Sequence, residues 1–467
     1  MLYESESGDI SMAITGESLI SRAMSVFREE RFLEMRSILH NTDVRFTNAE
    51  MLFHNYEDPP THRPGGTYMR CDPRFIKDLQ WLGINMVGIA NNHSYDFGEN
   101  GVLTNIKHLD EYDMPHAGTG QHLAEATAPT YMDTPKGRVA LIAATSSGPP
   151  GGRAGEERRD VKGRPGANVI RWTTEWTVDR EAFDALQRIS NEMGWPEQVA
   201  QKRSSGYDDG FAESDTDVHF LDHAMYAEDP STKFVLGESF ERHTKINQDD
   251  LDRNVQRVSD ARRMSDWVMF TIHNHEGGQT VEEPSDHIKV LAHAVIDAGA
   301  DVFIGHGPHQ DRGIEIYKGK PIFYSLGDFI LQNDTVLLMP HDNMLKQGLD
   351  WEATPADFYD ARSGNETRGQ TIQPIRWQSA IARVDFSAKG LKEVKLLPVD
   401  LGFGRSRAQR GRPLLAEGEV AEEIIERFQR LSGPFGTDFK SRATPRLSNS
   451  KAIILLTIAL IANIPSE

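Results

Sequence analysis

Two short apolar runs, each followed at once by amide or imidazole side chains, constrain the fold of this chain more than any other feature. Residues 84–90 precede Asn91, Asn92 and His93, and residues 300–304 precede Gly305 and His306. Runs of this length and composition are typical of buried parallel strands. Sites in open α/β sheets lie beyond the carboxyl ends of such strands, so we expect these polar side chains to meet at a sheet edge.

Strand-like and helix-like segments alternate along most of the sequence. Strands are predicted at 11–15, 44–48, 86–90, 139–143, 267–272 and 302–305. Helices are predicted at 18–40, 73–82, 101–112, 249–264 and 285–298. This alternation favours a layered α/β fold on a largely parallel or mixed sheet.

Composition limits the classes of partner and of site. The chain has 467 residues with 38% apolar content, enough for one large α/β domain or two smaller ones. A net charge of -19 disfavours nucleic acid and anionic membranes, which are bound through clustered Lys and Arg. The one cysteine, Cys71, excludes a disulfide framework and a thiolate metal site.

The chain ends indicate a protein without a membrane span. Residues 1–8 are acidic and show no basic segment followed by an apolar one, so no signal peptide is expected and a cytoplasmic location is predicted. The apolar tract 452–464 is shorter than the roughly 20 residues that cross a bilayer. A buried strand or helix, or a disordered tail, is expected there, without stable membrane insertion.

The chain divides into a main domain, an insertion and a tail. Residues 149–235 break the alternation with Gly, Pro and charged residues, as expected of a lid, a substrate-selecting lobe or a mobile surface insert. We assign 1–405 to one domain that this insertion interrupts. Residues 406–467 are predicted to form a C-terminal helix and tail.

Several polar residues close predicted strands or open the loops after them. Their amide, imidazole and carboxylate groups are typical ligands of divalent metals. In chain order they are Asp9, Asn48, Glu50, Asn92, His93, His273, His275, His306 and His309. If they share one sheet edge, they predict a site for one or two ions.

These residues also support a family resemblance. The segments Gly8-Asp9, Asn48-Ala49-Glu50, 90–98, Ile272-His273, 304–309 and 324–329 together resemble the CapA/PgsA family of capsule and poly-γ-glutamate synthesis proteins. The resemblance covers roughly 8–145 and 245–402. It implies the four-layer αββα sandwich of calcineurin-like metallophosphoesterases, here with an inserted lobe, and a two-metal centre at strand ends.

The resemblance also implies roles for individual residues. His93 would be the proton donor. Members usually have a second His at Gly307, Trp-Gly at Asn274-His275 and Asn at Asp328, so His275 is a candidate compensating ligand and the metal (Mn, Zn, Fe, Ca or Mg) stays open. The implied metal ligands are Asp9, Glu50, Asn92, His273 and His306, with His309 as a further one.

Three functions fit these features. The first is a hydrolase that cleaves an amide, peptide or phosphoester bond with metal-activated water, with His93 protonating the leaving group and Asp96 orienting His93. The second is a peptide epimerase of the lasso-peptide type, with His93 paired to His275 or His309 across a Cα. The third is a non-catalytic binding or assembly module of a polyglutamate or capsule pathway.

Four further residues are candidates for substrate binding. Asn48 and Asn91 lie beside the proposed ligands, Arg312 offers a charge near the 305–309 loop, and Trp172 offers an aromatic wall in the insertion. The expected substrate is a peptide, a polyglutamate-like polymer or a small phosphorylated molecule.

Overall fold

The computed structural model describes residues 8–149, 151–205, 216–220, 232–444 and 453–458. Strands and helices alternate through this part of the chain. The strands are β1 (Ile10–Leu19), β2 (Val44–Ala49), β3 (Leu52–Phe53), β4 (Arg70–Cys71), β5 (Met86–Gly88), β6 (His116–Ala117), β7 (Thr119–Gly120), β8 (Thr130–Thr134), β9 (Gly137–Thr145), β10 (Gly166–Ala167), β11 (Trp172–Val178), β12 (Asp217–Phe220), β13 (Thr232–Leu236), β14 (Glu241–Ile246), β15 (Trp267–His273), β16 (Val302–His306), β17 (Ile314–Tyr317), β18 (Lys320–Phe323), β19 (Asp328–Leu331), β20 (Gln378–Ser387), β21 (Gly390–Asp400), β22 (Leu414–Leu415), β23 (Phe439–Thr444) and β24 (Ile453–Ile458). The helices are α1 (Glu30–His40), α2 (Ile76–Leu82), α3 (Gly98–Glu111), α4 (Leu123–Ala126), α5 (Arg180–Glu192), α6 (Trp195–Ser204), α7 (Gln248–Arg262), α8 (Asp286–Asp297), α9 (His341–Lys346), α10 (Pro355–Ser363) and α11 (Gly418–Ser432).

Two sheets carry the main body. The larger has the order β23-β24-β21-β20-β1-β2-β5-β6, with β19 also paired to β1 and β22 to β21. The smaller has the order β17-β18-β16-β15-β9-β8. The central strands β1, β2, β5 and β6 are mutually parallel, as are β9, β15, β16 and β18. Parallel neighbours align their carboxyl ends, so each sheet presents a common edge for a site.

The two sheets pack face to face with helices outside them. Ile14 and Phe46 of the large sheet share one buried core with Leu141 and Ile304 of the small sheet. A second core packs α1 and α2 on the outer face of the large sheet, and a third packs α7 and α8 on that of the small sheet. The predicted αββα sandwich is therefore confirmed.

The predicted insertion contains a small sheet of its own. Strands β12, β13, β11 and β14 pair in that order, and α5 packs Phe183 against Val178 beneath it. The sheet takes in β14, which ends at Ile246, beyond the expected boundary at residue 235. Trp172 joins this lobe to the main body, because its ring stacks on His287 of α8 at a centroid distance of 4.9 Å.

The C-terminal stretch extends the large sheet. Helix α11 packs Ile424 and Phe428 into the core between the sheets, and β22 and β24 both pair with β21. The apolar tract thus contributes the strand β24, and the rest of the tract lies outside the described residues. Within the described ranges, the helices are all too short or too polar to cross a membrane.

Candidate metal centre

Three strands of the large sheet bring two carboxylates and an amide together. In the sheet register, Glu17 on β1 is paired with Asn48 on β2 and with Asp328 on β19. Asn48 Nδ2 donates to Glu17 Oε1 at 3.2 Å. The approach of β1 to β19 requires glycine at position 16, because a Cβ there would lie 1.7 Å from the carbonyl oxygen of Gly327.

The small sheet supplies imidazoles at the matching edge. His273, the last residue of β15, is in register with His306, the last residue of β16. The Thr271 hydroxyl lies 2.8 Å from His306 Nε2, which leaves Nδ1 of that ring facing the site. Both histidines are fully buried or nearly so. A second hydrogen-bonding partner of this kind fixes the orientation of a ligating imidazole.

Glu17 and His273 meet where the two sheets face each other. Glu17 Oε1 lies 2.6 Å from His273 Nδ1 and 3.4 Å from His306 Nδ1. On its other side, His273 Nε2 lies 3.0 Å from His275 Nε2 and 4.0 Å from Glu50 Oε1. The His273 ring therefore stands between two groups of candidate ligands, Glu17 with His306 and Glu50 with His275.

His309 closes the cluster from the loop after β16. Its Nδ1 lies 2.8 Å from Asp328 Oδ1, and its Nε2 lies 3.7 Å from Glu50 Oε1. Gly307 has a φ of 122°, and a Cβ there would lie 2.5 Å from the carbonyl oxygen of Asn274. Position 307 therefore has no room for a side chain. His309, two residues later, reaches the cluster with a left-handed φ of 52°.

The oxygens of this cluster fit a divalent cation. Buried polar atoms in folded proteins nearly always have a partner, and exceptions call for an explanation such as an ion. Here several buried oxygens of one small region lack a hydrogen-bond donor among the described residues. They are Glu17 Oε2, Asn48 Oδ1, both Glu50 oxygens, Asn92 Oδ1 and Asp328 Oδ2. The donor set of carboxylates, amide oxygens and imidazoles is compatible with a divalent metal.

The pKa shifts of the buried groups are also compatible with a bound divalent metal. Burial, with the nearby Glu17 and Asp328 carboxylates, raises the pKa of Glu50 well above its usual value. Burial lowers the pKa of His273 to about 4, although Glu17 opposes this shift. His273 is therefore neutral at pH 7, the form that binds metals. The cluster gathers the buried carboxylates of Glu17, Glu50 and Asp328, and a bound divalent metal would offset their mutual repulsion.

His93 stands beside the cluster in a defined orientation. Its Nδ1 lies 2.8 Å from Asp96 Oδ2, and its Nε2 lies 3.9 Å from Glu50 Oε1. Asp96 is itself fixed, because it accepts hydrogen bonds from the backbone N–H groups of Gly65 and Met69 at 2.9 and 2.7 Å. The predicted relation of Asp96 to His93 is present in the structure.

The cluster opens into a cavity of about 610 Å³. Five residues of the cluster and its surroundings line it: Glu50, Asn92, His93, His275 and His309. The other lining residues are Leu19, the 64–67 loop, Met69, Ser147 and Gly148 just before the insertion, Asn333 and Arg362. This volume lies within the range of pockets that hold small-molecule ligands.

Asp9 does not join the predicted cluster. It precedes β1, at the opposite end of the strand from Glu17, and its side chain is 67% exposed beside Lys392. The prediction for Asp9 is wrong because carboxylates converge only at the carboxyl ends of these strands. Glu17 occupies the place that Asp9 was expected to fill.

The substrate-binding predictions need corrections too. Asn91 is buried and uses its amide to hold the loop, accepting from the N–H of His93 and donating to the Ala49 carbonyl. Arg312 is fully buried and donates to the Asn274 side chain and the Val281 carbonyl, so it supports the 274–275 loop. Trp172 stacks on His287 and is not among the residues lining the cavity.

The other predicted residues lie in or beside the cluster. Asn48 contacts Glu17 and offers a free oxygen, as a ligand would. His275, predicted both as a catalytic group and as a compensating ligand, belongs to the group with Glu50 and His273. Sequence reasoning missed Glu17 as a ligand, although Gly16-Glu17 directly follows the predicted strand 11–15. It also missed Asp328 as a candidate ligand and Arg362 as a residue that lines the cavity.

The comparisons with known proteins identify the family of this chain. Residues 6–333 match the model of the family described as "Bacterial capsule synthesis protein PGA_cap". The chain is 34% identical over 438 residues to the protein y4uA of Sinorhizobium fredii (strain NBRC 101917 / NGR234), covering 91% of this chain and 90% of that protein. It is 36% identical over 366 residues to the PGA biosynthesis protein CapA of Bacillus subtilis (strain 168), covering 75% of this chain and 72% of that protein.

Among solved structures, the NAD nucleotidase NadN of Haemophilus influenzae aligns with a TM-score of 0.31 and 9% identity, over 90% of this chain and 55% of that chain. This likeness is too distant to bear on the fold or the chemistry. The family match and the two relatives instead confirm the resemblance seen in the motifs. The chain belongs to the PGA_cap family of bacterial capsule synthesis proteins.

Proposed function

We propose that this chain is a metal-dependent hydrolase that cleaves an amide bond in a polyglutamate-like polymer or peptide. The observation that carries the proposal is the set of buried, unpartnered oxygens that faces His273, His306 and His309 at the edge of a substrate-sized cavity. The family named for capsule synthesis and the relative named for PGA biosynthesis favour a glutamate-based substrate over a phosphoester.

The proposed ligands divide over the two sheets. Glu17, Asn48, Glu50 and Asp328 would hold the metal from the large sheet, with His273 and His306 from the small one. Asn92, His275 and His309 would complete the set from loops. One or two ions of the Mn, Zn, Fe, Ca or Mg type, once bound, would activate a water molecule and polarise the carbonyl group to be attacked.

His93 is the proposed proton donor. Asp96 engages Nδ1 of its ring, so Nε2 is the nitrogen that faces Glu50 and the cavity. From that side it protonates the leaving nitrogen as the amide bond breaks. Asp96 keeps the ring in place, since the backbone of Gly65 and Met69 fixes both of its carboxylate oxygens.

The test uses the purified full chain. Metal content is measured by elemental analysis, and the loaded protein is incubated with oligo-γ-glutamate, α-linked glutamate peptides and phosphoesters. We expect amide cleavage that Glu17→Gln abolishes together with metal binding, and that His93→Gln abolishes while the metal is retained. Failure to bind any divalent metal would rule the hydrolase out. Turnover of phosphoesters alone would show that the bond cleaved is a phosphoester and not an amide.

The cavity also suits proton transfer at a peptide Cα. His93, His275 and His309 all line it, so more than one imidazole can reach the Cα of a bound peptide. Incubation of the peptides in D2O separates the two reactions. Deuterium uptake at Cα without cleavage would identify an epimerase, and tight polymer binding without either reaction would identify a binding module.

A further inference from the structure

The charges lining the cavity are arranged unevenly. The lining includes Glu50 and the three imidazoles of His93, His275 and His309, and the other lining residues are uncharged except for Arg362. Within the described part of the chain, Arg362 is thus the only arginine or lysine that lines this cavity. A cation in that position faces whatever molecule occupies the space beside the cluster.

Neighbouring arginines already have partners, in contrast to Arg362. Arg407 binds Asp360 at 2.8 Å, and Arg410 binds Asp334 at 2.5 Å. Arg368 donates to the backbone carbonyl groups of Arg362 and Ala361. Among the described residues, the guanidinium group of Arg362 has neither an ion pair nor a hydrogen-bond acceptor in contact.

The backbone that carries Arg362 is firmly placed. Helix α10 begins with a capping box between Thr354 and Asp357 and ends at Ser363, where Gly364 caps it with a φ of 58°. Phe358 and Tyr359 anchor the helix in the core at 2% and 4% exposure. Binding groups on such anchored helices are positioned more accurately than those on loops.

We infer that Arg362 binds a carboxylate of the substrate while the neighbouring bond lies at the metal cluster. This inference rests on the proposed function and names the substrate group that the site recognises. A guanidinium group matches a carboxylate with two parallel hydrogen bonds. Each residue of a glutamate polymer carries a free carboxylate, so a segment that reaches the cluster also presents one to this wall of the cavity.

Arg362 also lies beyond the part of the chain that matches the family model, which ends at residue 333. All the candidate ligands, from Glu17 to Asp328, lie within the shared segment. The residue proposed to select the substrate by its charge therefore lies outside the segment that matches the family model.

The test is a calorimetric binding comparison in the His93→Gln background, which slows turnover and keeps the metal cluster intact. The probes are tri-γ-glutamate and its analogue with every α-carboxylate converted to carboxamide, each titrated into the Mn²⁺-loaded full chain. Arg362→Gln removes the charge, and Arg362→Lys keeps it without the planar fork. Arg188→Gln, an exposed arginine on α5 outside the cavity lining, is the matched control.

We expect Arg362→Gln to weaken binding of the triglutamate by about 10- to 100-fold, the usual size of a charged hydrogen-bond pair. The same substitution should change binding of the carboxamide analogue by less than about twofold. The affinity of Arg362→Lys for the triglutamate should lie between those of the parent and of Arg362→Gln, and Arg188→Gln should bind it as the parent does. Equal loss of both probes, an unchanged triglutamate affinity, or no binding by the parent would overturn the inference. A phosphate ion that competes as strongly as the triglutamate would also overturn the choice of a carboxylate.

The outcome is separable from that of the proposed function. Cleavage of glutamate amides by a chain in which Arg362→Gln has no effect leaves the hydrolase standing and removes the role of Arg362. Charge-selective binding that depends on Arg362, without any cleavage, keeps the recognition site and removes the hydrolase.

Discussion

Glu17 and His273 face each other from different sheets, with Glu17 Oε1 2.6 Å from His273 Nδ1. The contact spans 256 positions of sequence and joins the carboxyl end of β1 to that of β15. Both side chains are essentially inaccessible to water. A metal bound by this pair would link two sheets that otherwise meet through apolar packing, so changes at either residue should affect metal binding first.

Replacing Glu17 tests the assignment of the carboxylate against Asp9. Glu17→Gln should lower the affinity for Mn²⁺ by at least about 10- to 100-fold, because it removes one formal charge from the cluster. Asp9→Asn, a matched change at the exposed start of β1, should leave metal content unaltered. Elemental analysis after dialysis measures the metal that each variant retains. Metal loss in the Asp9→Asn variant alone would contradict the assignment of Glu17 as the ligand.

Removing the metal should lower stability. The cluster gathers Glu17, Glu50 and Asp328 within a few ångströms of one another, so a bound cation offsets their repulsion in the folded state. At a metal concentration 100 times its Kd, binding adds about 2.7 kcal/mol. Calorimetry with and without a chelator should show a lower Tm for the stripped protein. The double variant Glu17→Gln/Glu50→Gln should show almost no difference between the two conditions.

Adding a methyl group at Gly307 should be strongly destabilising. The φ of 122° is unfavourable for any other residue, and the new Cβ would lie 2.5 Å from the Asn274 carbonyl oxygen. Gly307→Ala should cost about 3 kcal/mol or more. Gly319→Ala is the control, since its φ of 75° is similar in sign but its Cβ meets nothing within 4 Å, and about 1 kcal/mol is expected. Urea unfolding that gives equal losses would contradict this account.

His287 should make the protein less stable in acid. Burial lowers the pKa of this residue to about 3, and both ring nitrogens lack hydrogen-bond partners among the described residues. Below pH 6.5 the unfolded chain takes up a proton that the folded chain does not, so the free energy of unfolding falls by about 1.4 kcal/mol per pH unit down to about pH 3.

His287→Phe keeps the stack on Trp172 and removes this titration. Between pH 6 and pH 4, the free energy of unfolding of this variant should therefore change less steeply with pH than that of the parent. The difference in slope should be about 1.4 kcal/mol per pH unit, the contribution of one proton. His293→Phe, at a residue with a 39% exposed side chain, serves as the control. A variant curve parallel to the parent curve would show that His287 does not titrate as the structure implies.

The layered fold was predictable because its central strands are continuous apolar runs, as at 84–90 and 267–272. The division of those strands between two sheets does not follow from periodicity and came from the family resemblance. The predicted helix 18–40 was wrong in its first half. There β1 continues to Leu19 by pairing with β19, and Asp78 holds the next turn through the N–H groups of Met24 and Ser25.

The same error concealed Glu17. With a strand expected to end at Thr15 and a helix to begin at Ser18, the carboxylate fell in a short connection, and Asp9 was chosen instead. The histidines were easier to place, since His273 and His306 end their strands with no ambiguity. Arg312 and Trp172 failed as binding residues because sequence does not reveal that a charge or an aromatic ring has already been buried against protein partners.

The division of the ligands between two sheets has a consequence for how the protein can vary. Each sheet is held together by its own hydrogen bonds, whereas the distance between the sheets is set by the thickness of the apolar layer that includes Ile14, Leu141 and Ile304. The affinity for a metal bound as proposed would therefore depend on that thickness. A core substitution that leaves every proposed ligand in place would then change which ion binds best, because ions of different radius require different spacings between the layers.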